Sequence, residues 1–334
     1  MTLDYQRLKS WPFGVIEHTY TEKDTMLYAL GIGFGTDPLD ERQLRFVYER
    51  DLQAMPTQVV VLGFPGFWAQ HPDSTIDWVR LVLGAHSLRI HRPLQARSTV
   101  VAHNAVTRVI DKGAGKGALV VTERRLLEKS SGDLLATIEQ LSFCRGDGGY
   151  SAPSAAYPRG QPSDPPLPEP PVVPETAPEI MCDLVTRPES ALLYRLSADL
   201  NPLHADPRIA GAAGFPRPIL HGLATYGVAC HAILKTCCDY RPERLTAFSA
   251  RFASPVFPGE TIRTEIWPGK NHASFRARVV ERDVVVLGNG RAEFTCCRCL
   301  NEGTTCTPSC IHARWRSSAP PTIRTRWAGD QCVT

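Results

Sequence analysis

Two stretches of this chain repeat one another across a proline-rich segment. Ser87, Arg89, Pro93 and Thr99 recur without a gap as Ser249, Arg251, Pro255 and Thr261, at a constant offset of 162. Upstream, Tyr28-Ala29-Leu30 matches Tyr194-Arg195-Leu196 at an offset of 166. Between the copies, residues 148–178 are dense in Pro, Ser and Ala and lack apolar periodicity, as an extended linker does. Two matching windows at nearly equal offset point to a duplicated unit. The expected organisation is one domain over 1–147, the linker, a second domain over 179–297, and a Cys-rich tail over 298–334 expected to be disordered.

Each half carries the same coarse plan. In the first, 86–92, 98–110, 118–128 and 134–144 are rich in β-branched and aromatic residues, with turn signals at 111–117 and 130–133. In the second, 247–254, 260–267, 273–281 and 284–287 read as strands. Asn289-Gly290 then gives a tight-hairpin signal before a last strand over 291–296. Ahead of these, Leu223, Tyr226, Cys230, Ile233 and Leu234 recur at helical spacing. The small residues Gly222, Ala224, Gly227 and Ala229 let a sheet wrap closely around that helix. A helix followed by an antiparallel meander, twice over, is an α+β fold.

With 334 residues, 43% hydrophobic and 21% charged, the chain is long enough for two cores of ordinary size. A net charge of +3, evenly spread, argues against a nucleic-acid partner. No stretch reaches the length of a membrane span. There is no secretory signal and no C-terminal Ser-Lys-Leu, so an intracellular protein, cytoplasmic or peroxisomal, is expected. Of 11 cysteines, six fall in the last 39 residues, which leaves the globular part with an ordinary intracellular content.

Reactive side chains gather in one place. Residues 197–207 read Ser-Ala-Asp-Leu-Asn-Pro-Leu-His-Ala-Asp-Pro, and 214–222 read Gly-Phe-Pro-Arg-Pro-Ile-Leu-His-Gly. Asn201-Pro202 is a good helix start, predicting a short helix over 202–209 with Asp199 in the preceding loop and His204 in the first turn. The bend between loop and helix lets both polar tips enter one pocket. Taken alone, Asp199 and Asn201 also suit a capped turn, with His204 on the surface. Gly222, however, opens the long apolar helix, and free N–H groups at such an opening attract developing negative charge. An acid, a base and an N–H donor suffice for proton chemistry beside a carbonyl.

This run resembles the hydratase 2 motif of the MaoC-like (R)-specific enoyl-CoA hydratases, and the resemblance extends over roughly residues 5–296. It implies a double hot-dog fold, two antiparallel sheets each wrapped around a central helix and joined edge to edge. It also implies addition of water to trans-2-enoyl-CoA, giving (3R)-3-hydroxyacyl-CoA, or the reverse dehydration. The family's catalytic acid falls on Asp199, its histidine on His204, its Asn on Asn201 and its oxyanion-hole glycine on Gly222. His221, Arg217, Phe215 and Pro218 are the expected substrate-binding residues. Asn201 is expected to shape the loop rather than move protons. Neither a metal nor a redox cofactor is required, since CoA enters as part of the acyl-CoA substrate. The duplicated plan implies a homodimer or a pseudo-dimeric monomer.

At position 198 the chain has Ala where the family usually has Gly, which strains the loop if that position needs positive φ. The first half lacks the reactive groups: aligning Tyr28 on Tyr194 puts Gly33 and Pro38 opposite Asp199 and His204. The resemblance makes this half a non-catalytic hot dog whose opened pocket takes a long acyl chain, with 63–68 (Gly-Phe-Pro-Gly-Phe-Trp) available to line it. Two alternatives stay open, a non-catalytic acyl-thioester-binding subunit and a dehydratase for carrier-protein-bound acyl chains. Gly113–Gly117 lacks phosphate-loop spacing and reads as a hairpin turn. His86 and His91 read as surface or satisfied strand histidines, and His231 as structural. The tail's Cys296, Cys297, Cys299, Cys306, Cys310 and His312 match no standard zinc spacing.

Overall fold

The computed structural model describes residues 2–197 and 199–295; the tail and Ala198 lie outside the described residues. Ten strands form one antiparallel sheet: β1 (Val15–Tyr20), β2 (Leu81–Ile90), β3 (Ser98–Asp111), β4 (Ala118–Glu128), β5 (Leu134–Cys144), β6 (Ile180–Val185), β7 (Leu245–Phe252), β8 (Thr261–Pro268), β9 (His272–Val279) and β10 (Val284–Phe294). Their order is β1-β3-β4-β5-β2-β7-β10-β9-β8-β6. Numbering each half from its own first strand turns the second half into the mirror-ordered copy of the first. The central β2–β7 ladder pairs Ser87 with Ser249, and Ala85 with Arg251. Ser87 and Ser249 are the repeat-equivalent residues, so a pseudo-two-fold axis passes between them. The duplication read from sequence is therefore a self-complementary interface inside one chain.

The helices are α1 (Tyr5–Lys9), α2 (Glu22–Gly31), α3 (Glu41–Val47), α4 (Ser190–Tyr194), α5 (Pro207–Ala212) and α6 (Gly222–Cys237). Helix α6 runs one turn beyond the expected stripe and is buried from Ala224 to Leu234. The aromatic face of the second half-sheet packs on it, with Tyr226 against Phe248 at 4.7 Å between ring centroids. In the first half the central element is shortened to a buried 3-10 turn, Pro56–Val60. Gly63 explains why it ends: its φ is +59°, and a Cβ there would lie 2.3 Å from the Ala102 Cβ on β3. The architecture is a double hot dog with one full and one truncated filling.

Repeat-equivalent residues also meet inside the core. Tyr28 of α2 and Tyr194 of α4 sit with ring centroids 5.8 Å apart. Gly227 makes room for the first half rather than for the sheet, because a Cβ there would lie 2.5 Å from Ile32 Cγ2. Replacing Gly227 by alanine should cost about 1–3 kcal/mol of stability through overpacking, read as a lower midpoint in urea unfolding.

Three local expectations change. Asn289-Gly290 makes no hairpin; it is a bulge within β10, where two residues face one between the pairs Gly288–Arg251 and Arg291–Ser249. Asn289 takes the left-handed conformation (φ +52°), which suits a bulge as well as a turn. The single helix expected over 202–209 splits into a 3-10 turn, Pro202–His204, and α5. Pro207 has no N–H to continue the first ladder, while Asp206 caps the second helix by accepting from Arg208 N–H at 2.8 Å. His86 is neither exposed nor satisfied: it is buried on β2 and neither ring nitrogen finds a partner.

Residues 148–178 contain no helix or strand but are tied down along their length. Asp111 accepts from the N–H groups of Gly149 and Ser151, and Val109 N–H donates to Asp164 at 2.7 Å. Trp267 Nε1 donates to the Thr176 carbonyl and Asn289 Nδ2 to that of Pro171. Gly113–Gly117 is the β3–β4 turn, closed by Lys116 N–H to the Gly113 carbonyl at 3.0 Å. His231 is enclosed, stacked on Phe34 at 3.7 Å between centroids. His91 is bonded to Thr137. The described cysteines Cys144, Cys182, Cys230 and Cys237 are free thiols.

Candidate active site

The loop 199–206 and the start of α6 converge. Asn201 is the N-cap of the Pro202–His204 turn, its Oδ1 accepting from Leu203 N–H at 3.0 Å. Asp199 Oδ1 accepts from Asn201 N–H at 3.1 Å, an Asx turn that orients the carboxylate. The turn delivers His204 into a buried position, where Nδ1 faces the Ile219 carbonyl at 2.8 Å. A carbonyl can only accept, so Nδ1 carries the proton and Nε2 keeps its lone pair. Burial pushes the His204 pKa below its ordinary value, which keeps the ring neutral at pH 7.

His221, the N-cap residue of α6, holds the other side. Its ring stacks on that of His204 at 3.6 Å between centroids. Nε2 donates to the Asp199 backbone carbonyl at 3.1 Å, while Nδ1 is buried without a partner. Burial, and then the neighbouring His204, push the His221 pKa down to about 4. His221 is thus a neutral strut tying the Asp199 loop to the start of α6. The side-chain donor atoms of Asp199, His204 and His221 lie within 4.8 Å of one another, close enough to hold a single metal ion or a single water.

Gly222 follows as the first residue of α6, where a backbone N–H has no partner within the helix. A Cβ at this position would meet the Phe252 ring at 3.2 Å, so a larger residue would press on that ring beside the N–H.

The remaining expected residues sit on the loop after α5. Phe215 N–H closes that helix on the Ala210 carbonyl at 2.9 Å, and Phe215 and Pro218 are half-buried. Arg217 is exposed and lies 5.1 Å over the Phe257 ring, beside Arg282, which is paired with Glu260. This loop touches the reactive pair through Ile219, whose carbonyl orients His204.

Two contributors escaped the sequence reading. Tyr194 is fully buried, its OH unpartnered and its ring 5.0 Å from that of His221. Arg195 Nη2 donates to the Leu200 carbonyl at 3.0 Å and pins the Asp199 loop. The signal for Tyr194 was its match to Tyr28, which marked the repeat but not the site.

Both halves of the chain resemble known proteins. A MaoC-like domain matches residues 170–289, and an MFE-2 hydratase 2 N-terminal domain matches 18–146. The chain is 39% identical over 278 residues to the peroxisomal enoyl-CoA hydratase 2 of Arabidopsis thaliana, covering 81% of this chain and 89% of that one. It is 39% identical over 287 residues to 3-hydroxyacyl-thioester dehydratase Y of Mycobacterium tuberculosis, covering 82% and 93%. Among solved structures, a MaoC-like dehydratase from Phytophthora capsici superposes with a TM-score of 0.75 at 32% identity, covering 88% of this chain and 99% of that one. No helix among the described residues is long and apolar enough to cross a membrane. By sequence over four-fifths of its length and by fold, this chain belongs to the MaoC-like hydratase 2 family of hydro-lyases.

Proposed function

We propose that this chain adds water to trans-2-enoyl-CoA to give (3R)-3-hydroxyacyl-CoA, and catalyses the reverse dehydration, at the site built from Asp199, His204 and Gly222. The observation that carries this reading is the meeting of a buried neutral imidazole and a carboxylate beside the open start of α6. His204 Nε2 and the Asp199 carboxylate hold one water. Its oxygen bonds to the β-carbon while the π electrons move through the conjugated system to the thioester oxygen. Gly222 N–H meets the charge that develops there. A proton from the same water ends on the α-carbon, so one molecule of water is consumed and no electrons leave the substrate. Asn201 shapes the loop, and His221 holds the loop and α6 in register. Arg217, exposed over the Phe257 ring, meets the phosphates of CoA in this reading.

The test is turnover of crotonyl-CoA and a longer trans-2-enoyl-CoA, followed by loss of the conjugated thioester absorbance, with the product's configuration read by chiral chromatography. The (3R) alcohol is expected, and the (3S) alcohol overturns the stereochemical assignment. No turnover at any chain length, with binding intact, favours the non-catalytic acyl-thioester-binding alternative. Gly222→Val, which keeps the N–H but drives a side chain into Phe252, should lower kcat by about 10²-fold, comparable to losing one oxyanion donor.

A further inference from the structure

The concave face of the first half-sheet is built differently from that of the second. In the second half it is filled by Phe248 and Phe275, stacked at 4.8 Å between centroids. In the first half, β3, β4 and β5 turn Asn104, Arg124 and Gln140 toward a pocket walled by Phe13, Phe64 and Trp68. Arg124 is 5% exposed. Its Nη1 donates to the carbonyls of Val60 and Leu62, at 3.1 and 2.6 Å, which cap the end of the truncated central turn. Its Nε is buried with no partner, and so is Asn104 Nδ2. Among the described residues no carboxylate forms an ion pair with Arg124.

Burial pushes the Arg124 pKa down to about 10, so the group is a cation at neutral pH. A buried cation without a counter-charge costs several kcal/mol unless something supplies one. The two carbonyls are dipoles and use only part of its five-donor fork. Arg124 Nε and Asn104 Nδ2 are both donors, so the complement they lack is an acceptor, and the uncompensated cation calls for one carrying negative charge. The aromatic walls ask for an apolar body behind that charge. An apolar acyl tail alone would leave every one of these donors desolvated and unpaired.

We propose that this pocket binds a carboxylate borne on an aliphatic chain, with Arg124 and Asn104 as the donors that recognise it. Two sources share that chemistry, a free fatty acid and the distal carboxylate of a dicarboxylic acyl thioester. The second source rests on the proposed hydratase reading, whereas the first does not.

Calorimetric titration of the full chain with decanoate and with decanol tests the site without any turnover. Decanoate should bind at least about tenfold more tightly, and Arg124→Gln should remove the difference. Because Arg124 also caps Val60 and Leu62, Asn104→Leu serves as a second variant that leaves that cap intact; it should weaken decanoate several-fold and leave decanol unchanged. Equal affinity for the two ligands, or an unaltered preference in folded Asn104→Leu, overturns the proposal. The source is separated by kcat/KM on the mono-CoA thioester of trans-2-decenedioic acid against trans-2-decenoyl-CoA. A preference for the diacid that Asn104→Leu abolishes identifies the substrate's own end, and equal values with decanoate still bound identify a free acid. Crotonyl-CoA is too short to present a distal group and reports the hydratase reading alone. Its failure with decanoate binding intact would sink that reading and leave the pocket assignment standing.

Discussion

His204→Ala is expected to lower kcat on crotonyl-CoA by about 10³-fold or more while KM moves by less than about threefold. The ring is a buried base whose free nitrogen is fixed by a hydrogen bond on the other: Nδ1 is committed to Ile219, so Nε2 alone can take a proton from water. Asp199→Asn keeps the size of the side chain and its acceptor for Asn201 N–H, yet removes the charge that polarises the same water. A loss of similar size is expected there. The two losses should not add, because both residues act on one water, and the double variant should be little worse than either single one. Since burial lowers the His204 pKa, the acid limb of the kcat/KM profile should fall below pH 6.5, the value of a free imidazole. Retained turnover in either single variant, with circular dichroism unchanged, would reject the mechanism.

The second large effect is on stability. His86 and His231 are buried neutral, each with a pKa pushed down to about 3, chiefly by desolvation, and His221 is pushed down to about 4. In the unfolded chain all three protonate near pH 6.5. Between that value and about pH 4 the unfolded state therefore binds more protons than the folded state, and stability falls as pH drops. Each histidine contributes a slope of about 1.4 kcal/mol per pH unit, so the three together approach about 4 kcal/mol per unit well below pH 6.5. Urea unfolding at half-unit steps from pH 7.5 to 5 measures this directly. His86→Leu, which removes a titrating ring and two unpartnered nitrogens at nearly constant apolar volume, should cut the slope by about a third. A free energy of unfolding that is flat from pH 7 to 5 would contradict the assignment.

What could be read in advance was local or symmetric. Asp199, Asn201 and His204 lie on six consecutive residues, so an Asx turn and a capped 3-10 turn bring them together whatever the rest of the chain does. Ser87 and Ser249 were visible as a repeat because equivalent residues near a two-fold axis face the same partners. The contacts that support the site were not visible, although His221 itself was expected there as a substrate-binding residue. His221 reaches the Asp199 carbonyl across 22 positions, and Arg195 grips a carbonyl that only the folded loop presents. Arg124 and His86 lie on strands whose polar residues alternate ambiguously between faces. For Arg124 the signal existed: Val120, Thr122, Arg124 and Leu126 share one face of β4, and its two ends are apolar and buried. Asn289-Gly290 misled because a left-handed Asn suits a bulge and a hairpin equally, and only pairing with β7 decides between them.

The axis between Ser87 and Ser249 has one more consequence. In a dimer of identical subunits every substitution is made twice, so a change that reshapes one cavity reshapes its twin. Joining both copies in a single reading frame removes that constraint. Asp199 and His204 can be kept on one side while Gly33 and Pro38 stand opposite, and a lone cation can be buried in the half that lacks that pair. Symmetry in the backbone is what lets the two faces be inherited independently.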